Sequence, residues 1–369
     1  MRWSIYLGRP LGIRVYLHFT FVLLMALLWW ASWRAHGSIT LPLFTLTCFF
    51  CVLLHEYGHA LMARHYGIGT HDITLLPIGG VARLERMPTK PSEELLVALA
   101  GPAVNVAIAL LLVPVCLLLG QPVVPDLSAF FGGHSQPGLA SMLLSWNIVM
   151  ILFNMMPAFP MDGGRVLRAL LAMRLPYDRA TAAAAAVGRA MAVVFALYAI
   201  FYSSNPLLIV IAFFVWTGAG TEAAAAIEQT AIEGASVADA MLVEFTSLRP
   251  EDTAADAARL ILRSYQTDFP VLESGHVTGV VTRSAVVTAL AISPDRSARE
   301  MMLPLDASCL AGEVLEGVIQ RMRELQLPLL PVLRNGSLCG LVTPDNTAEF
   351  IAFRRALRLR LDALGASHG

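Results

Sequence analysis

Six long apolar runs fill the first two thirds of this 369-residue chain, at about 15–33, 40–63, 93–119, 139–158, 183–203 and 206–227. Each is near the roughly 20 residues that a helix needs to cross hydrocarbon. In lipid the backbone must satisfy its own hydrogen bonds, so runs of this length fold as helices packed into a bundle. Composition agrees: 56% of residues are hydrophobic and 14% charged, against about 25% charged in a soluble domain. From about Glu233 onward acidic and basic residues are spread as in ordinary soluble protein. The expected fold is therefore a multi-span α-helical membrane protein, with about six transmembrane helices, followed by a soluble domain. Arg2, Arg9 and Arg14 precede the first run. A cleaved signal peptide is the alternative there, but the run is long for one and no clear small-x-small site follows, which favours a retained span.

Arginine sets the expected orientation. One side collects Arg2, Arg9 and Arg14, then Arg64, Arg83, Arg86 and Lys90, then Arg165, Arg168, Arg174 and Arg179. The other has Arg34, no Lys or Arg between Gly120 and Gly138, and none around Ser203-Ser204-Asn205. By the positive-inside rule the N-terminus is cytoplasmic, and an even number of spans returns the C-terminal domain to the cytoplasm. Trp29, Trp30 and Trp33 suit the interface at the end of the first span. A net charge of −1 offers no basic face for nucleic acid. Cys48 and Cys51 form a C-x-x-C without a second pair, read as small apolar packing residues on a helix.

The second run contains His55-Glu56-Tyr57-Gly58-His59. Histidines at i and i+4 share a helix face, where both rings reach one metal ion, and the intervening glutamate is placed as a general base. Ionisable groups at membrane depth are costly and signal function. Catalytic zinc takes three protein ligands, so a third is needed. His65 has the spacing of an extended H-E-x-x-H pattern, but Met62 stands where that pattern needs Gly. Glu85, Glu93 and Glu94 lie in a polar stretch that reads as exposed. Asp162 fits best. The fourth run ends in Asn154-Met-Met-Pro157-Ala-Phe-Pro160-Met-Asp162-Gly163-Gly164, a break in the backbone that membrane depth tolerates only beside protein or a wet cavity. Pairing of Asp162 with Arg165 is the alternative. Residues 68–87 read as two short strands around Gly79-Gly80, either a surface hairpin or an edge that holds an extended peptide.

These elements together resemble the site-2 protease family of intramembrane zinc metalloproteases. H-E-x-x-H lies in one span, Gly101-Pro102-Ala103-Val104-Asn105 opens the next, and Asn154, Pro157, Asp162 and Gly163 form the N-x-x-P…D-G element. The resemblance covers about residues 5–225. It implies zinc, one per chain, on His55, His59 and Asp162, with Glu56 activating water. It also suggests that Asn105 and Asn154 hold substrate backbone or the oxyanion. The other reading of these amides is interhelical hydrogen bonding.

The soluble part repeats. Val237-Ala-Asp-Ala-Met241 matches Ala298-Arg-Glu-Met-Met302, Phe269-Pro-Val-Leu272 matches Leu330-Pro-Val-Leu333, and Gly279-Val-Val-Thr282 matches Gly340-Leu-Val-Thr343. Repeats at about 237–292 and 298–352 resemble a tandem CBS pair, an α+β fold. In that family the cleft often holds an adenine nucleotide, with a Thr or Ser on phosphate and an Asp three residues later on ribose. Thr282 and Thr343 are present, but Ala285 and Asn346 stand at the Asp positions. The first site reads as lost and the second, Thr343 with Asn346, as weakened. A scaffold for dimerisation or substrate docking is the alternative role.

The expected organisation is a zinc metalloprotease domain over 1–230, a cytosolic CBS pair over 236–352 and a tail over 353–369. The expected protein is a multi-pass endopeptidase of a bacterial inner membrane. It cuts a peptide bond in or beside a transmembrane segment of a substrate such as an anti-sigma or pro-sigma factor, and CBS pairs often form homodimers. The rival is a catalytically silent receptor or a transporter with a CBS sensor.

Overall fold

The computed structural model describes residues 4–36, 39–77, 79–88, 90–124, 138–202 and 206–366. Arg2, Ser203-Ser204-Asn205 and most of the stretch between Gly120 and Gly138, used above for orientation, lie outside them. The chain divides into two compact units, Met1–Ala226 and Ile227–Gly369.

The first unit opens with strands β1 (Ser4–Gly8) and β2 (Arg14–His18), then helices α1 (Phe19–His36) and α2 (Thr40–His65). Strands β3 (Thr70–Leu76) and β4 (Gly79–Leu84) follow, then α3 (Pro91–Leu118), α4 (Leu139–Asn154), α5 (Asp162–Ala172), α6 (Tyr177–Phe201) and α7 (Pro206–Ile232). Helices α2, α3, α6 and α7 are long and apolar enough to cross a membrane, and α1 and α4 are shorter apolar helices. The six apolar runs thus correspond to six helices. Many large apolar side chains remain exposed on them, including Leu110, Leu111, Leu118, Phe201 and Phe213, which is expected where lipid, not water, is the solvent.

The first run begins later than its apolar sequence suggested. Residues 14–18 pair in a sheet, with β2 antiparallel to β1 and parallel to β3. The sheet order is β1-β2-β3-β4, so β4 is an edge. The expected hairpin is β3–β4, antiparallel, with Leu76 opposite Gly79; Ile78 at its tip is outside the described residues. The sheet packs on α2 through Ile13, Val15, Tyr57, Ala60 and Ile73.

The second unit carries two copies of one design. The first comprises α8 (Val237–Ala240), α9 (Ala254–Arg263), β5 (Phe269–Glu273), β6 (His276–Val281) and α10 (Arg283–Ile292). The second comprises α11 (Ala298–Met301), β7 (Leu303–Pro304), β8 (Cys309–Leu310), α12 (Leu315–Leu325), β9 (Leu330–Arg334), β10 (Ser337–Val342) and α13 (Pro344–Ala366). The copies exchange strands: β7 pairs with β6 of the first copy, and Leu242, just after α8, bridges to Leu341 of β10. Residues from 353 onward, expected as a tail, continue α13 as far as Ala366.

Candidate metal centre

The H-E-x-x-H face of α2 points into the bundle. His55 and His59 are 4% and 6% exposed, and Asp162, at the first turn of α5, is 7% exposed. Asp162 Oδ2 is 3.2 Å from Nε2 of each histidine, and the two Nε2 atoms are 3.1 Å apart.

The partners of the other ring nitrogens fix the tautomers. His59 Nδ1 is 2.7 Å from the Val97 carbonyl oxygen, which can only accept, so Nδ1 carries the proton. His55 Nδ1 is 2.6 Å from Asn105 Oδ1, while Asn105 Nδ2 donates to Asn147 Oδ1 at 2.9 Å. Asn147 Nδ2 donates in turn to the Leu143 carbonyl at 2.8 Å. This chain leaves Asn105 Oδ1 as an acceptor, so His55 Nδ1 also carries the proton. With both rings neutral, the two Nε2 atoms therefore present lone pairs to each other and to a carboxylate oxygen. Without a cation that convergence is repulsive; with one it is a ligand set. Four-coordinate zinc with bonds of about 2.0–2.1 Å separates its donors by roughly 3.3 Å, close to the distances here. Outer partners that hold each imidazole by its Nδ1–H are the usual companions of such ligands. The residues fit zinc.

Glu56 lies on the next face of α2, where its Oε2 accepts from the Ala82 N–H of β4 at 3.2 Å. The backbone of β4 thus runs beside the glutamate. Gly101 leaves α3 bare where the rings lie: a Cβ there would sit 2.2 Å from His59 Nε2 and 2.8 Å from His55 Cε1.

Among the alternative ligands, His65 is exposed at the end of α2 against Tyr66, and Glu85 accepts from the Gly69 N–H at 3.2 Å. Glu94 is not exposed as its polar neighbours suggested. It is 3% exposed and takes the Arg168 Nε–H at 2.7 Å. Arg165 faces Glu222, at 3.8 Å, rather than Asp162. Asn105 belongs to the centre; Asn154, half-buried at the end of α4, is not part of its hydrogen-bonded chain. Asn147 was not singled out in the sequence. A buried amide inside an apolar run was its only signal.

Thr343 and Asn346 meet at the start of α13. Asn346 Oδ1 accepts from the Thr343 N–H at 2.6 Å and hydroxyl at 2.8 Å, and its Nδ2 donates to the Ala240 carbonyl.

Both parts of the chain are similar to known proteins. The peptidase family M50 model matches residues 43–139 and 133–195, and the CBS domain model matches residues 237–292. Zinc metalloprotease MJ0392 of Methanocaldococcus jannaschii is 32% identical over 283 residues, 76% of this chain and 78% of that protein. Stage IV sporulation protein FB of Bacillus subtilis is 28% identical over 148 residues, 40% of this chain and 46% of that protein. The solved site-2 protease from M. jannaschii is 36% identical, covers 60% of this chain and 95% of its own, and superposes with a TM-score of 0.44. The chain belongs to peptidase family M50. It is a zinc metalloprotease of the site-2 kind, built of membrane-type apolar helices and carrying a C-terminal CBS domain.

Proposed function

We propose that His55, His59 and Asp162 hold one zinc ion and that Glu56 is the general base of peptide hydrolysis. The observation that supports this most is the convergence of two Nε2 lone pairs and one carboxylate oxygen, each buried, at 3.1–3.2 Å. Zinc, when bound, supplies Lewis-acid polarisation of the scissile carbonyl and lowers the pKa of water. Glu56 takes the proton of the attacking water at its carboxylate and returns it to the departing amine. Asn105, held by Asn147, orients His55. Asn154 remains the candidate for contact with substrate backbone or oxyanion.

The substrate is proposed to be a membrane protein, cut in or beside a transmembrane segment, of the anti-sigma or pro-sigma factor type. A helix buries its carbonyls in its own hydrogen bonds, so the cut segment must be extended. The edge strand β4, alongside Glu56, supports a reading in which it supplies backbone partners to that segment. The protease domain is assigned to 1–230 and the CBS pair to 236–352. A bacterial inner membrane with the N-terminus and CBS pair cytoplasmic is the location that the arginine distribution supports. In the CBS pair, Thr343 and Asn346 spend their polar atoms on each other and on Ala240. That favours a scaffolding role, including homodimerisation, over an adenine-nucleotide site.

The test is cleavage of a panel of single-span proteins by the full chain in liposomes. Wild type should cut at least one, Glu56→Gln should lose the activity by about 10²–10⁴-fold, and chelation should abolish it until zinc is restored. Cleavage that persists undiminished in Glu56→Gln would refute the assignment.

A further inference from the structure

A second buried polar cluster lies on the helices that carry the centre. Arg168 of α5 is 1% exposed, among the most deeply buried large side chains of the chain. Its Nε donates to Glu94 Oε1 of α3 at 2.7 Å, and its Nη1 to Glu222 Oε2 of α7 at 3.1 Å. The guanidinium is also flanked by two rings, with Cζ 5.0 Å from the Phe159 centroid and 5.1 Å from that of Tyr177. A charge taken out of water this completely is expensive, and such pairs are weak contributors to bare stability. What they do supply is a fixed geometry, because a planar guanidinium fork accepts few arrangements.

That geometry bears on the metal centre through α3. Positions 94, 97, 101 and 105 follow one another at helical spacing along one side of that helix. Glu94 holds Arg168, the Val97 carbonyl holds His59, bare Gly101 admits both rings, and Asn105 holds His55. The histidines of α2 are thus registered against α3 at two points. The third ligand is not: neither Asp162 oxygen has a partner on α3 among the hydrogen bonds of the described residues. Asp162 begins the same 11-residue helix that carries Arg168, and the Arg168–Glu94 bond is a buried charged tie between that helix and α3.

We infer that Arg168, with Glu94 and Glu222, is a positioning residue for the zinc site: it sets where α5 delivers Asp162 relative to the two histidines. The inference rests on the ligand assignment proposed above. Loosening the tie leaves the histidine pair intact and displaces only the carboxylate, so the centre falls toward two-ligand binding.

The experiment uses the full chain in detergent, with zinc affinity from chelator competition and the visible absorption of the cobalt-substituted protein. Arg168→Met alone strands the buried Glu94 carboxylate, so it is made together with Glu94→Gln, which removes both buried charges. Arg168→Lys, which keeps the charge but not the fork, and Glu222→Gln, at the more exposed end, complete the set. A thermal melt checks that each folds. The expected result is a loss of zinc affinity of about 10- to 100-fold, the range for outer-shell partners, in the double variant. Arg168→Lys should show a smaller loss, and both should show altered cobalt bands. Folded variants with wild-type affinity and bands would overturn the inference. A wild type that binds no zinc would instead overturn the ligand assignment on which it rests. A shift confined to melting temperature would mean that the cluster is merely structural.

Discussion

Gly101 shows how little freedom a single residue of this site has. The nearest histidine atom is 2.2 Å from where its Cβ would be, well inside van der Waals contact. Gly101→Ala must rotate or displace a ring already fixed by its Nδ1 bond. Zinc affinity should fall about 100-fold, the upper range for disturbed ligand support, while the helical circular dichroism stays unchanged; chelator competition measures it. Asn346 is a second case. Local sequence offers no reason for an amide at the position where the CBS resemblance implies an acid. The structure supplies one: Nδ2 donates to the Ala240 carbonyl while Oδ1 caps α13. A carboxylate could perform the cap but would set two acceptors against each other at Ala240. Asn346→Asp should therefore destabilise this corner by about 1–3 kcal/mol, seen as faster hydrogen exchange at the start of α13 in the full chain. Unchanged exchange would contradict it.

At the scale of elements, the helices were legible because apolar length is a local signal that no tertiary contact has to supply. The β3–β4 hairpin was legible as two short strands within 68–87, but its turn was not: Gly79 and Gly80, read as the turn, open β4 and pair with Leu76 and Leu75. Strands β1 and β2 were not legible: Arg14–His18 runs directly into the apolar α1, so a length criterion absorbs it into the span. Only pairing with β1 and β3, the latter more than 50 residues away, makes it a strand. The three proposed ligands and Glu56 were readable because H-E-x-x-H and D-G are short patterns with a mechanism attached. The supports were not. Asn147 is a lone amide in an apolar run. Glu94 sits beside Ser92 and Glu93, and its burial depends on Arg168, 74 residues further on. Partners far apart in sequence leave no trace in local composition.

At the scale of the whole molecule, two units obey different solvents. The first exposes apolar side chains on its helices, whereas the second has cores such as Leu315, Val318, Leu330, Val332 and Val342, all nearly fully buried. Within the second unit the repeat is also a packing rule. A Cβ at Gly279 would be 2.7 Å from Met302 Sδ and 2.8 Å from the Leu303 oxygen; at Gly340 it would be 2.8 Å from Met241 Sδ and 3.0 Å from the Leu242 oxygen. Each repeat thus leaves a bare glycine where the other's Met-Leu segment crosses. Gly279→Ala and Gly340→Ala should therefore have like effects, each destabilising by about 1–3 kcal/mol as overpacked sites do, measured by denaturant unfolding of the second unit's hydrogen-exchange-protected core. A large effect at one and none at the other would contradict the exchange of strands.

The most direct test of the account is the zinc content and X-ray absorption spectrum of the purified full chain, compared with Asp162→Ala and His59→Ala. The account predicts about one zinc per chain in the wild type, with nitrogen and oxygen donors and no sulfur, and zinc lost from both variants. Full zinc retained in Asp162→Ala with an unchanged spectrum would contradict it, since the ion would then be held somewhere other than between α2 and α5.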